Sequence, residues 1–168
     1  MTPDLFWIPG PWRGRLAVAT RPRGGDWLED EARGWRQAGL DEVVSLLEND
    51  EAAQLELSRE GEVATSNNIR FISFPIPDRG IPASTPGALL LLKNIVQALE
   101  QGRNVAVHCR QGLGRSALIA AGALVTSGMS PQKAIDIVSA ARGEKVPETP
   151  AQFQWIHQLP AERPALTS

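Results

Sequence analysis

An apolar run, Val105-Ala106-Val107, leads straight into His108-Cys109-Arg110-Gln111-Gly112-Leu113-Gly114-Arg115-Ser116 and then into Ala117-Leu118-Ile119-Ala120-Ala121. A short β-branched run, a glycine-rich turn and a helix-forming run in that order describe a strand–loop–helix unit. Such a unit points a helix N-terminus at whatever occupies the loop, and it belongs to folds in which strands and helices alternate. The loop holds one thiol and one arginine with five residues between them. Its expected content is an anion, and its expected chemistry is nucleophilic.

The remainder of the chain keeps up the alternation. Leu5–Ile8 and Arg15–Ala19 read as short edge strands around Pro9-Gly10-Pro11. Asp26-Trp27-Leu28-Glu29 has the capping-box pattern and predicts a helix reaching Ala38, ended by Gly39. Glu42–Leu47 reads as a buried strand, Asn49–Arg59 as an exposed helix and Ile69–Phe74 as a strand stopped by Pro75 and Pro77. A cap residue followed by proline opens three further helices, at Thr85-Pro86, Ser130-Pro131 and Thr149-Pro150. In the first of them Leu89, Leu92, Ile95, Val96 and Leu99 recur at helical spacing. Asn104–Val107 is the central strand, and helices follow over Ser116–Ser127, Pro131–Arg142 and Pro150–Leu159. The expectation is a single α/β domain over residues 1–160, with a mainly parallel sheet of about four to five strands flanked by helices. A loose tail is expected at 161–168.

Composition narrows the function. Of 168 residues 42% are hydrophobic and 21% charged, with a formal net charge of -2. Such a balance supplies no global attraction to nucleic acid or to an anionic membrane, so neither is expected as a partner. No basic stretch followed by an apolar one opens the chain, and Ala117–Val125, the longest apolar stretch, is too short to span a bilayer. A single cysteine allows no intramolecular disulfide and suits a reducing, cytoplasmic setting. With one thiol and two histidines no closed zinc site is suggested, and no metal or cofactor is expected.

Consecutive backbone N–H groups in a tight loop, together with a helix N-terminus, form a concave anion site. Gly112 and Gly114 supply the conformations such a loop needs, while Arg110, Gln111 and Leu113 complete its backbone. Arg115 forks two hydrogen bonds onto a phosphoryl group, with a planar geometry that lysine lacks. The field that holds a dianion also favours a thiolate at Cys109 over a thiol. Gly112-Leu113-Gly114-Arg115-Ser116-Ala117 matches a loose dinucleotide fingerprint as well. That reading wants an acidic residue at the end of a second strand; Asp136 stands near the right distance but inside a helical pattern, and Cys109 and Arg115 go unexplained.

These residues resemble the protein tyrosine phosphatase superfamily, whose loop is His-Cys-x5-Arg-Ser/Thr, and in particular its small dual-specificity phosphatases of the kinase-associated type. The likeness runs from about Glu42 to Leu159 and is weak over the first forty residues. It implies a phosphotyrosine protein phosphatase-like fold and a metal-independent mechanism. Cys109 would attack phosphorus to give a cysteinyl-phosphate held by Arg115 and the loop amides, and an aspartate would protonate the leaving oxygen and then activate water. In Phe74-Pro75-Ile76-Pro77-Asp78-Arg79-Gly80 the acid is Asp78, although Pro-Asp-Arg-Gly is also simply a turn. Gly80 and Pro82 flank a segment able to close over substrate. Ser116 would donate to the cysteine sulfur, and His108 would support the loop. Gln152 would position the hydrolytic water or, through Thr149-x-x-Gln152, only cap a helix. Arg79, Arg110 and Arg142 are candidates for a positive rim, while Trp155 and His157 are expected to serve packing and surface.

The implied substrate is a phosphoprotein or phosphopeptide carrying phosphotyrosine, with phosphoserine and phosphothreonine open, as is oligomeric state. The same mechanism on a phosphoinositide or another non-protein phosphomonoester is the alternative, weakened because the loop carries Gln111 and Leu113 where lysines would suit a highly charged lipid. A phosphate-recognition module without turnover is a third reading, although cysteine, arginine and acid are all present. A sulfurtransferase would have a shorter cysteine loop.

Overall fold

The computed structural model of the chain describes residues 4–160. Within them five strands form one sheet: β1 (Leu5–Ile8), β2 (Leu16–Ala19), β3 (Glu42–Ser45), β4 (Arg70–Ser73) and β5 (Val105–His108), in the order β1-β2-β5-β3-β4. β5 lies in the middle, parallel to both β2 and β3; β4 continues the parallel set and only β1 runs antiparallel. Register aligns Ala19, His108, Ser45 and Ser73 at one edge. The loops after β3, β4 and β5 therefore leave from the carboxyl ends of parallel strands, where ligands bind in such sheets. The expected α/β architecture is present.

Among the described residues seven α-helices surround the sheet: α1 (Leu28–Gln37), α2 (Asn49–Gln54), α3 (Glu60–Ser66), α4 (Thr85–Glu100), α5 (Arg115–Thr126), α6 (Pro131–Arg142) and α7 (Pro150–His157). Helix α5 is buried along its whole length. Its run of Ala, Leu, Ile and Val has no polar face, as befits a helix enclosed on all sides. Around it gather Val107 of β5, Leu92 and Ile95 of α4, Val138 of α6 and Ile156 of α7. A second cluster on the other face of the sheet joins Trp35 of α1 to Val43, Ala106 and Val63. Among the described residues no helix is long and apolar enough to cross a membrane.

Several expectations need correction. β2 is an interior strand, paired on both sides and buried at all four positions. The small apolar sequence Leu-Ala-Val-Ala suits a strand covered on both faces, a pattern that short length alone conceals. Asp26 caps nothing: it lies in a 3-10 turn (Gly25–Trp27), and α1 begins without a side-chain cap. There the backbone is pinned to a remote turn instead, with Gly25 N donating to the Glu56 carbonyl at 3.0 Å.

The helix expected over Asn49–Arg59 is two helices. Helix α2 closes in a Schellman turn, Leu57 N donating to the Ala52 carbonyl at 2.7 Å and Glu56 N to Ala53 at 3.2 Å. Its left-handed position is Glu56, at φ 57°, where glycine is the usual signal. Burial of Leu57 fixes the break. Helix α3 ends the same way, with Asn68 at φ 60° and Ile69 N bonded to Ala64 at 3.0 Å. The α4 cap falls one residue earlier than expected, on Ser84, whose hydroxyl accepts from Gly87 N. The tail read at 161–168 lies outside the described residues.

Candidate active site

Three loops from the carboxyl edge converge. The first joins β5 to α5 and runs from Cys109 to Gly114. Gly112, at φ 75°, packs so close to β2 that a Cβ there would lie 3.1 Å from the Ala19 carbonyl. Both the backbone angle and the contact demand glycine. Cys109 is 3% exposed and its Sγ lies 3.2 Å from Ser116 Oγ. Arg115 opens α5. Leu113 is half-buried and packs on the core, so the loop is anchored from below.

Arg142 holds the loop from outside. Its Nη2 donates to the Gln111 carbonyl at 3.0 Å and its Nε to the Gly112 carbonyl at 3.2 Å, while the guanidinium stacks 4.1 Å from the Phe6 ring centroid. In a trans peptide the following N–H points opposite to the carbonyl, so the Gly112 and Leu113 amides face away from Arg142. Arg142 is therefore not part of the rim. Removing it as Arg142→Ala is expected to loosen the loop and lower kcat/KM on a small aryl phosphate about tenfold, in keeping with two lost charge-assisted hydrogen bonds. Steady-state kinetics beside a denaturation curve would show whether activity falls further than stability does.

The second loop follows β4. Pro77-Asp78-Arg79-Gly80 is a turn closed by Gly80 N on the Pro77 carbonyl at 2.8 Å, with Arg79 at φ 60°. Asp78 occupies its first central position and accepts from Arg115 Nη2 at 3.2 Å. The turn and the site reading of this tetrapeptide hold together.

The third connection follows β3 and leads into α2, whose first turn carries Glu51, a residue that sequence reasoning left without a role on an exposed helix. Glu51 takes Arg115 in a two-pronged pair, at 2.6 Å from Nη1 and 3.0 Å from Nη2. Arg115 Nη1 also donates to the carbonyls of Ile76 at 3.0 Å and Leu46 at 3.4 Å. The Arg115 side chain is only 2% exposed. Burial by itself would lower its pKa, but the hydrogen bonds it donates to Glu51 and the charges at Cys109, Glu51 and Asp78 outweigh it and hold the value above that of an ordinary arginine. Burial likewise works to raise Glu51, yet Arg115, the Glu48 amide and the charge of Arg110 bring its pKa below 4.5.

A depressed carboxylate stabilises the fold above its ordinary value, and that contribution is lost as pH falls through the folded value below 4.5. Glu51→Gln is expected to cost about 3 kcal/mol at neutral pH, because it leaves a buried guanidinium with half its counter-charge. For a chain this long that is a melting point lower by about 6–12 °C. The variant's stability should also fall less steeply than the wild type's below pH 4.5, which thermal melts across that range would show.

His108 and Gln152 sit behind the site. His108 Nε2 meets Glu60 Oε2 at 2.5 Å, its Nδ1 faces the Cys109 carbonyl at 3.3 Å, and Trp35 stacks on the ring. Glu60 belongs to the helix that sequence reading missed. Gln152 is fully buried and makes the expected box with Thr149. Its Oε1 accepts from the Glu148 and Thr149 amides, both at 3.2 Å, and its Nε2 donates to the Gly80 carbonyl at 3.0 Å. The amide thus ties α7 to the Asp78 turn. Glu148, also unforeseen, pairs with Arg79 at 3.4 Å. Trp155 is buried in the core, and His157 packs on Phe153 at the surface.

The loops enclose a cavity of about 290 Å³ lined by Asp78, Arg79, Cys109, Arg110, Gln111, Arg115 and Glu148. One thiol, three guanidinium groups and two carboxylates thus surround a space the size of a phosphoryl group and its carrier.

Residues 17–129 match the sequence model of a family described as "Polymorphic toxin system, DSP-PTPase phosphatase". The chain belongs to this DSP-PTPase family. The rat protein named cyclin-dependent kinase inhibitor 3 is 34% identical over 87 residues, which cover 51% of this chain and 41% of that one. The match thus spans less than half the length of that relative. Among solved structures, kinase associated phosphatase with its catalytic-site cysteine replaced by serine superposes with a TM-score of 0.85 at 19% identity, covering 94% of each chain. Tk-PTP in its active form superposes at 0.73 with 27% identity, over 92% of this chain and 96% of that one. Together they bear out the resemblance that the His-Cys-x5-Arg-Ser segment carries.

Proposed function

We propose that this protein is a cysteine-dependent protein phosphatase that hydrolyses phosphotyrosine, and phosphoserine or phosphothreonine where the pocket admits them, through a cysteinyl-phosphate. The single observation that carries this reading is the enclosure of Cys109 Sγ with Arg115 and Asp78 in one cavity. The phosphoryl oxygens bind Arg115 and the loop amides. The Cys109 thiolate attacks phosphorus, the bond from phosphorus to the leaving oxygen breaks, and Asp78 gives that oxygen its proton. Water then attacks the phosphorus–sulfur bond while Asp78 takes its proton back. The thiolate departs with a hydrogen bond from Ser116, 3.2 Å away. Every proton that leaves Asp78 returns to it within one turnover.

His108 and Arg142 keep the loop in shape, and Gln152 keeps the Asp78 turn in place. With both lone-pair directions of its Oε1 taken by N–H groups, Gln152 suits loop positioning better than holding a water. A phosphoprotein fits as substrate because the cavity opens directly at the surface, where Arg79 and Gln111 are exposed. The chain's one free thiol suits a reducing, cytoplasmic compartment.

The test is phosphate release from a panel of phosphotyrosine, phosphoserine and phosphothreonine peptides and, separately, phosphoinositide vesicles, each with excess chelator. Turnover on the peptides is the expected result. Hydrolysis confined to the lipids would redirect the substrate class, and no hydrolysis of any ester would leave a recognition module.

A further inference from the structure

The catalytic cavity, at about 290 Å³, takes a phosphoryl group and the side chain bearing it, so the residues on either side of a phosphorylated position must lie on the surface around it. One wall of the cavity is Glu148. The same residue is a wall of a larger groove of about 750 Å³, formed by α6, the connection after it and the start of α7. Two depressions that share a wall lie side by side, and one extended segment laid across Glu148 would make a single track of both.

The character of the track changes across Glu148. The cavity is cationic, with Arg79, Arg110 and Arg115. The groove has an apolar floor, where Ile135 and Val146 are buried and Phe153 is 39% exposed. Its rim carries Asp136, Glu144 and Glu148 against one ammonium, Lys145. Of these carboxylates Glu148 already faces Arg79, while among the described residues Asp136 accepts only from the neutral Gln132 amide at 2.9 Å.

We propose that this groove is a substrate subsite for a lysine or arginine close to the phosphorylated residue, a refinement that rests on the phosphatase reading above. The long methylene stem of such a residue lies along Ile135 and Phe153 while its charged head reaches Asp136 and Glu144. A wholly apolar occupant would desolvate the rim carboxylates with nothing in exchange. An anionic headgroup would meet like charge. A segment with a phosphate on one side and a basic residue on the other matches both halves of the track.

The test uses Cys109→Ser as a binding form. Phosphotyrosine peptides of one length carry lysine, alanine, leucine or glutamate at successive positions on either side of the phosphoresidue. At one or two positions lysine is expected to bind about three- to tenfold tighter than alanine, with glutamate weaker than both and the contrast shrinking as salt is raised. Adding Asp136→Lys and Glu144→Lys together is expected to reverse the order of lysine and glutamate. Equal affinities at every position, tightest binding by leucine, or a lysine preference that survives the double reversal would each overturn the subsite. Wild-type turnover on the same peptides separates the two claims. Hydrolysis without a charge preference defeats the groove alone, whereas a lysine preference without hydrolysis defeats the phosphatase reading and leaves the groove standing.

Discussion

Cys109→Ser is expected to lower phosphate release by about 10⁴–10⁶-fold while leaving phosphopeptide binding within a few-fold of the wild type. A serine hydroxyl needs a base to become a nucleophile, and among the described residues none is hydrogen-bonded to this position. The group nearest Sγ is Ser116 Oγ at 3.2 Å, an alcohol that has a proton to give. Both ring nitrogens of His108 are turned to other oxygens, those of Glu60 and the Cys109 carbonyl. The groups that would bind phosphate, Arg115 and the loop amides, are untouched by the change. Phosphate release set against calorimetric affinity for a phosphopeptide separates the two effects. Residual turnover within tenfold of the wild type would refute the covalent route.

The second large effect is expected at Asp78. Asp78→Asn keeps the shape of the side chain and an oxygen for Arg115, whose Nη2 now lies 3.2 Å from Oδ1, but it removes the exchangeable proton. Turnover of phosphopeptides should fall about 10²–10⁴-fold with little change in affinity. The loss should also depend on the leaving group. An alkoxide or phenoxide of high basicity needs the proton in the transition state, whereas a nitrophenolate leaves almost without it. A plot of rate against leaving-group pKa should therefore steepen in the variant. Equal losses on all esters would give Asp78 a structural part, as a partner of Arg115 on its turn, and remove it as the acid.

How much of this was legible in the chain follows from where the interacting groups lie. Helix starts at Ser130-Pro131 and Thr149-Pro150 were readable because a cap and its proline sit side by side, and both hydroxyls accept as expected. The break between α2 and α3 was not, because Glu56 takes a left-handed turn with no glycine to announce it. Its cause, the burial of Leu57, is a tertiary fact. Arg142 looked like a rim residue because any arginine near a phosphate loop does. Only the packing of α6 beside β1 turns it onto Phe6 and the outer carbonyls. Glu51 carried no signal at all, since an acidic residue in the first turn of an exposed-looking helix has an ordinary electrostatic explanation.

By itself the sequence determined the strand–loop–helix that holds Cys109, Gly112, Arg115 and Ser116, since all of its chemistry is local and contiguous. Through the family resemblance it also offered Asp78 as the acid, the role that the leaving-group dependence above would test. The tertiary structure alone decided that Glu51 clamps Arg115, that Glu60 holds His108 and that Glu148 and Gln152 secure the Asp78 turn. Those pairs join residues 48 to 72 positions apart. They meet because β5 is inserted between β2 and β3, and parallel register brings every following loop to the same edge of the sheet. Strand order is set by how the whole core packs, and no local stretch of sequence encodes it.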